Sequence, residues 1–302
     1  MIPPPELPEP PILRPYEDGA FRMALGLGTV PTREWLRVDR LYGPEVAERR
    51  ALIAERAREV VIGLPEAAEA GAELLGAVAA NLAEHHPAWF GWEGGRLANR
   101  LLGEDVEIAG AEAPLATLGR LVQEDFCLMR VEGGVPRLVA GVLCFPNRWR
   151  LAEKIGLPLG GVHGPVPLYA ERLQRPVDRF LALLAPGKIA VRANWSVLDD
   201  PALHQPVGHG RRKASSLRAE EAGARLFLRV ERQSFVRLPR SGAVVFGIRS
   251  YVWPLGVVVA AEGEAARLRA AVLAMPEAMA AYKSLLPFRA ALLEYLEARA
   301  AG

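Results

Sequence analysis

The stretch DFCLMRVEGGVPRLVAGVLCFP, from Asp125 to Pro146, decides the fold of this 302-residue chain. It holds two β-prone apolar runs separated by EGGVP, a pattern that predicts a β-hairpin. Three more strand candidates follow, and LPRSG between the last two is a turn signal. These three strand candidates are IAVRANWSVL (Ile189–Leu198), ARLFLRVERQSFVRLP (Ala224–Pro239) and GAVVFGIRSYVWPL (Gly242–Leu255). The sequence therefore predicts five strands around one long connection.

That connection, residues 147–185, combines helical segments with a stretch rich in glycine and proline. Two strands, a helical insert and three strands is the layout of a PAS domain, whose insert packs on one face of the sheet. We therefore predict an α+β fold with a PAS-like five-stranded antiparallel sheet. Periodicity alone also allows other α+β arrangements.

Both flanks of this core are predicted to be mainly helical. Prolines in residues 1–20 favour an extended arm. Helical spacing follows from Gly43 to about Ile62 and from Pro65 to about His86, and WFGWEGG then favours a turn-rich loop. The tail, Glu262–Ala300, is an alanine- and leucine-rich helical region. We expect an N-terminal arm and helical region at 1–120, the core at 121–258 and C-terminal helices at 259–302.

The composition restricts the class of protein. With 37 basic and 35 acidic residues the net charge is +2, so no electrostatic argument favours nucleic acid or a membrane surface. Cys127 and Cys144 lie in apolar runs, which predicts buried free thiols and too few ligands for an iron–sulfur cluster. No segment has the pattern of a signal peptide or of a membrane span. We expect a cytoplasmic protein.

Familiar catalytic motifs are missing: the sequence has no Walker loop, nucleophile elbow, HExxH or dinucleotide fingerprint. His85 and His86 end a predicted helix, where a cation near the helix C-terminus is the simpler explanation. His204 and His209 flank a glycine- and proline-rich segment, which favours a mobile basic loop. The alternatives are a flap over a pocket and a docking patch for an acidic partner protein.

His163 lies in IGLPLGGVHGPVPLY, where glycines and prolines on both sides restrict the backbone. A neutral imidazole on a stiff apolar segment, with its second nitrogen held by an acceptor, suits a metal such as haem iron. On spacing alone, a hydrogen-bonded core histidine is at least as consistent with the pattern.

A family resemblance covers most of the chain. The phrases that carry it are CFPNRWRLAEKIGLPLGGVHGPVPLY (144–169), RANWSV (192–197) and LRVERQSFVRLPRSGAVVFGIRSYVWPL (228–255). The chain resembles the α subunit of the haem-dependent oxidative N-demethylases, whose haem sits in a PAS-type domain. The resemblance implies a haem b with His163 as the proximal iron ligand. His204 departs from the pattern, since an apolar or aromatic residue is expected there.

The resemblance also implies that the sheet face opposite His163 forms the distal side. Strand alternation places Arg192 and Asn194 together on one face, where they could stabilise negative charge on bound O₂. An ion pair between Arg192 and Glu231 is an equal alternative. Glu231 could bind the cation of an amine substrate or pair with an arginine. Tyr169 is a candidate to cap the pocket, and Arg148, Lys154 and Arg237 are candidates for the haem propionates.

The function implied by the resemblance is oxidative N-demethylation of a small secondary amine such as dimethylamine, with O₂. Electrons would come from partner subunits that carry FMN and a 2Fe–2S centre and draw on NADPH. Two alternatives remain at this stage. One is a non-catalytic haem sensor of a gas or of redox state, and the other is a haem-free domain that binds a small ligand or a partner.

Overall fold

The computed structural model describes residues 5–17, 19–207, 210 and 215–301. Within these ranges, ten strands form two antiparallel sheets. They are β1 (Gly28–Val30), β2 (Val61–Gly63), β3 (Phe90–Glu93), β4 (Arg96–Asn99), β5 (Glu104–Glu107), β6 (Asp125–Glu132), β7 (Val135–Val142), β8 (Ile189–Leu198), β9 (Phe227–Arg237) and β10 (Val244–Pro254).

Eleven α-helices lie in the described ranges, several of them a single turn. They are α1 (Tyr42–Val60), α2 (Ala68–His85), α3 (Pro114–Gly119), α4 (Leu159–Val162), α5 (Tyr169–Arg172), α6 (Gln174–Leu183), α7 (Ala222–Arg225), α8 (Leu255–Val258), α9 (Glu264–Ala274), α10 (Glu277–Tyr282) and α11 (Arg289–Ala301). Short 3-10 turns occupy Thr32–Glu34, Pro65–Ala67, Leu151–Glu153, Ala219–Glu221 and Leu286–Phe288.

The large sheet has seven strands in the order β1-β8-β9-β10-β6-β7-β2. The α+β class is confirmed, but the prediction of a PAS-like five-stranded sheet is wrong. The five central strands match the predicted segments, and two strands of three residues each extend the sheet at its edges. β1 pairs with residues 189–191 of β8, and β2 pairs with residues 140–142 of β7.

The sequence gives little sign of these edge strands. Val61 and Ile62 continue the helical spacing of the preceding residues, although α1 ends at Val60. β1 follows a glycine-rich segment and is too short for an alternating pattern. The predicted loop at WFGWEGG is also wrong, because Gly94 and Gly95 adopt positive φ and form the turn between β3 and β4 of a small three-stranded sheet.

The two faces of the large sheet are covered differently. The insert between β7 and β8, which carries α4 to α6, packs on one face through Leu159, Leu181 and Leu184. The other face carries α1 and α2 through one apolar cluster, and the C-terminal helices through a second cluster that includes Val197, Leu228 and Val230. Alternation along each strand therefore determines which side chains face the insert.

Candidate functional site

The insert places His163 at the end of a single helical turn beside the sheet. Its Nδ1 lies 3.1 Å from the main-chain oxygen of Leu159. Because a carbonyl only accepts hydrogen bonds, Nδ1 carries the proton and Nε2 keeps a lone pair. Burial lowers the pKa of His163 to about 4, against the raising effect of the Leu159 hydrogen bond, and the charges of Lys154 and Arg192 lower it further. The imidazole is therefore neutral at pH 7.

Tyr169 stacks on His163, with ring centroids 4.4 Å apart and planes 12° from parallel. The preceding residue, Leu168, has φ 63°, a left-handed conformation that is costly for a residue with a side chain. Tyr169 is buried, and its hydroxyl has no hydrogen-bond partner in the described part of the chain. Burial raises the pKa of this phenol, Asp178 adds to the effect and Arg192 opposes it.

A cleft of about 230 Å³ opens at this segment. Its wall consists of the histidine segment itself: Gly160, His163, Gly164, Pro165, Val166, Pro167, Leu168, Tyr169, Ala170 and Glu171. The small and cyclic residues leave His163 accessible at the cleft, with its ring held by Tyr169 and the Leu159 carbonyl.

A group of four polar side chains from β8 and β9 lies on the sheet face that carries the insert. Arg192 pairs with Gln233 and Asn194 pairs with Glu231 in the β8–β9 register, so all four lie on the same face. Glu231 Oε2 accepts hydrogen bonds from Gln233 Nε2 at 3.1 Å and from Asn194 Nδ2 at 3.4 Å. The face thus presents a carboxylate held by two side-chain amides.

Arg192 is close enough to both Glu231 and Tyr169 for their charges to act on it. Burial lowers the pKa of Arg192, while the charges of Glu231 and Tyr169 raise it. Its Nε is buried without a hydrogen-bond partner among the described residues. Asp178 Oδ1 is likewise buried without a hydrogen-bond partner among the described residues, and burial raises the pKa of Asp178. Buried polar atoms without partners are uncommon, so Arg192, Tyr169 and Asp178 mark a place suited to a ligand.

The three basic candidates for propionate binding differ in position. Lys154 is half-buried and close enough to His163 for its charge to lower the histidine pKa. Arg148 is buried and bonds Gln205 and Asp199, each at 3.3 Å. Arg237 donates to the main-chain oxygens of Leu181, Ala182 and Leu184 at the end of α6, and to that of Gly242. Of the three, Lys154 is the one whose charge acts on His163, and no hydrogen bond or ion pair of its ammonium is seen among the described residues.

The remaining histidines lie elsewhere. His204 Nδ1 is 2.7 Å from the main-chain oxygen of Cys144, and its Nε2 is 2.9 Å from Arg56. His86 stacks on Trp89 at the end of α2. His209 lies outside the described residues. Cys127 and Cys144 are buried free thiols, as expected.

Sequence reasoning missed Lys283, which follows α10 in the C-terminal region. Its Nζ donates to Asn194 Oδ1 at 3.1 Å and to the main-chain oxygen of Trp195 at 2.5 Å. Burial lowers the pKa of Lys283 to about 8, opposed by Glu231 and assisted by Arg192. The sequence did contain one indication of this role. Lys283 is the only lysine in the alanine- and leucine-rich tail, and a lysine buried in such a region usually has a partner.

Within the described ranges, no helix is both long and apolar enough to cross a membrane. No group of three or more histidine, cysteine or acidic residues there has the geometry of a metal site.

A comparison with protein families gives a match over residues 26–293, nearly the whole chain. The match includes the cleft with His163, the polar face of β8 and β9, and Lys283. The matching model is described as haem-dependent oxidative N-demethylase, alpha subunit-like. The chain belongs to this haem-dependent oxidative N-demethylase alpha subunit-like family.

Proposed function

We propose that the chain binds haem b through His163 and catalyses oxidative N-demethylation of a small secondary amine such as dimethylamine. The reaction would consume O₂, two electrons and two protons, and would yield methylamine, formaldehyde and water. The electrons would come from partner subunits with FMN and a 2Fe–2S centre, which draw on NADPH. The observation that carries the proposal is the His163 imidazole in the cleft, whose Nδ1 is held by the Leu159 carbonyl so that Nε2 keeps a lone pair for a metal.

The residues fit a haem by their donor chemistry. A proximal histidine binds iron through one neutral ring nitrogen while the other donates to an acceptor, and His163 has this arrangement with Leu159. Lys154 is near enough to meet a propionate. The volume of about 230 Å³ is below the roughly 300–1,000 Å³ typical of ligand pockets, so the cleft can enclose only part of a large cofactor.

Bound haem would supply the site at which O₂ is reduced. The residues of the chain would then have separate roles. The Arg192 guanidinium would stabilise negative charge as it develops on the oxygen, since a buried cation acts strongly in a site of low dielectric. Glu231 would bind the ammonium form of the amine and accept its proton, and Asn194 and Gln233 hold that carboxylate in place. Tyr169 fixes the imidazole plane.

The first test is the absorption spectrum of protein expressed with added haem, before and after dithionite reduction and then with carbon monoxide. We expect a Soret band that shifts at each step in the wild type. We expect no such band in H163G, because the axial ligand is gone, and its partial return when imidazole is added. H85A, which changes a histidine at the end of α2, should bind haem like the wild type.

An unchanged Soret band in H163G would refute the ligand assignment, and a colourless wild type would refute haem binding altogether. Turnover is tested separately by amine-dependent NADPH oxidation and formaldehyde release with a flavin and iron–sulfur reductase. A haem protein whose spectrum responds to ligands but that never releases formaldehyde would instead support the sensor function.

A further inference from the structure

The edge of β8 is only partly covered by β1. The short strand pairs with residues 189–191, and β8 continues beyond it to Leu198. At this uncovered part, Lys283 donates to the main-chain oxygen of Trp195, and its ammonium lies 5.7 Å from the centre of the Trp195 ring. A lysine at this position covers the strand edge, which is a common way to protect an unpaired strand.

The same ammonium also reaches the face that carries the candidate site. Nζ lies 3.1 Å from Oδ1 of Asn194, whose Nδ2 is 3.4 Å from Glu231. An amide side chain can turn either end towards a neighbour, but an ammonium has donors and no acceptor. Lys283 therefore requires the oxygen of Asn194 to face it. The NH₂ group of Asn194 is thereby directed to Glu231.

The backbone holds Lys283 in this position. After α10, the amide of Leu285 donates to Ala280 and that of Ser284 donates to Ala281, which is the hydrogen-bond pattern of a Schellman cap. Ser284 takes the left-handed conformation of this cap, with φ 55°, where glycine is usual. The conformation is retained despite its cost, so the backbone next to Lys283 is held in place, and the two hydrogen bonds of Nζ set the direction of the side chain.

We propose that Lys283 is a positioning residue for amine binding: through the Asn194 amide it fixes the Glu231 carboxylate that receives a small alkylammonium. This inference rests on the proposed function, because it concerns the same carboxylate. It extends the site to the C-terminal region, beyond residue 258. It also separates two roles of Lys283, covering the strand edge through Trp195 and orienting the site through Asn194.

The test is a double-mutant cycle of K283M and N194A in the haem-loaded full chain. Dimethylammonium binding is measured by calorimetry, and the KM and kcat for formaldehyde release are measured alongside. We expect K283M to raise the Kd and the KM about tenfold, the effect of one charge-assisted hydrogen bond. The kcat and the Soret band should change little. In the N194A background, K283M should change the Kd less than about twofold.

Two further variants keep the test decisive. K188M changes a lysine in the exposed turn before β8 and should bind the amine like the wild type. K283Q retains an amide donor, but either end of its side chain can face Asn194. It should weaken binding severalfold, again without a further effect in N194A, and it serves if K283M does not fold.

An unchanged Kd in K283Q and in folded K283M would overturn this inference but leave the proposed function standing, because the lysine would then serve only to cover the strand edge. Equal losses in the wild-type and N194A backgrounds would also overturn it, since Lys283 would act independently of the amide. A wild type that binds haem but no dimethylammonium would overturn the inference together with the proposed substrate.

Discussion

On the sheet face covered by α1, away from the insert, the buried Arg249 guanidinium joins three parts of the chain. It lies 2.8 Å from Asp39 and 2.7 Å from Glu45, in the first turn of α1. The side-chain amide of Gln123 donates to both carboxylates, at 3.1 and 2.9 Å. Two buried carboxylates thus share one cation, so one negative charge of the cluster is not balanced when both carboxylates are ionised.

This cluster predicts a pH dependence of stability. Burial raises the pKa of Glu45 to about 7, although Arg249 and Gln123 oppose the shift. Between about pH 4.5 and 7 the folded chain keeps a proton that the unfolded chain has released. The contribution of Glu45 to stability is therefore fully present below pH 4.5, and it is lost as the pH rises to 7. The change should be on the order of 3 kcal/mol.

Urea unfolding of the wild type and E45Q at several pH values measures this effect. The difference in unfolding free energy between the two proteins should change steadily in favour of E45Q from pH 4.5 to 7. E55Q, an exposed change on the same helix, provides the control and should follow the wild type. A difference that does not vary with pH would show that Glu45 titrates normally in the folded protein.

Among the secondary-structure elements, α3 packs closely against the sheet at its last residue. A Cβ added at Gly119 would lie 2.5 Å from Val142 and 2.7 Å from Ile53, both buried side chains. The main-chain oxygen of Gly119 also accepts a hydrogen bond from Arg49 at 2.9 Å. Position 119 therefore requires glycine because there is no room for a Cβ atom. Its φ is one that any residue could adopt.

G119A and G76A should change stability in opposite directions. G119A should lower the unfolding free energy by about 1–3 kcal/mol, because Val142 and Ile53 have little room to move. Gly76 is in the middle of α2, where an added Cβ meets nothing within 4 Å. G76A should raise the unfolding free energy by roughly 0.5–1 kcal/mol through helix propensity. A stable G119A in thermal unfolding would mean that α3 can move away from β7.

The long strands could be predicted from the sequence, and the short ones could not. β8 coincides with the predicted Ile189–Leu198, because ten residues of alternating pattern identify a strand. β1 and β2 have three residues each, so tertiary pairing alone defines them. Alternation places Arg192 with Asn194 on one face of their strand, but only the β8–β9 register of the structure brings Glu231 to the same face. Lys283 could not be placed there from the sequence, because its contact with Asn194 joins residues 89 positions apart.

For the whole molecule, the C-terminal region is part of the core. Leu268, Val272, Leu292 and Leu296 are fully buried in one cluster with Leu228 and Val230 of β9. The N-terminal arm joins the same cluster through Tyr16, whose hydroxyl donates to Glu264 at 2.8 Å. The boundary expected near residue 258 stays a prediction, but any unit ending there would expose this apolar surface.

A chain truncated after residue 258 should consequently lose cooperative folding. Removing α9 to α11 exposes the apolar residues of β8 and β9, and Lys283 is lost from the site. We expect binding of a hydrophobic dye, aggregation and no sharp thermal transition. The full-length protein serves as the reference under the same conditions. A truncated chain with an unchanged melting temperature and near-ultraviolet circular dichroism would show that the region is a separate appendage.

The two edge strands impose an order on biosynthesis. β1 is made early but pairs with β8, and β2 pairs with β7, so each must wait for a partner encoded far downstream. Until β7 and β8 leave the ribosome, the segments on either side of α1 have no sheet to join. Such long-range pairing slows folding and leaves unpaired strands exposed for longer. The nascent chain should therefore depend on chaperones until the insert and β8 have been synthesised.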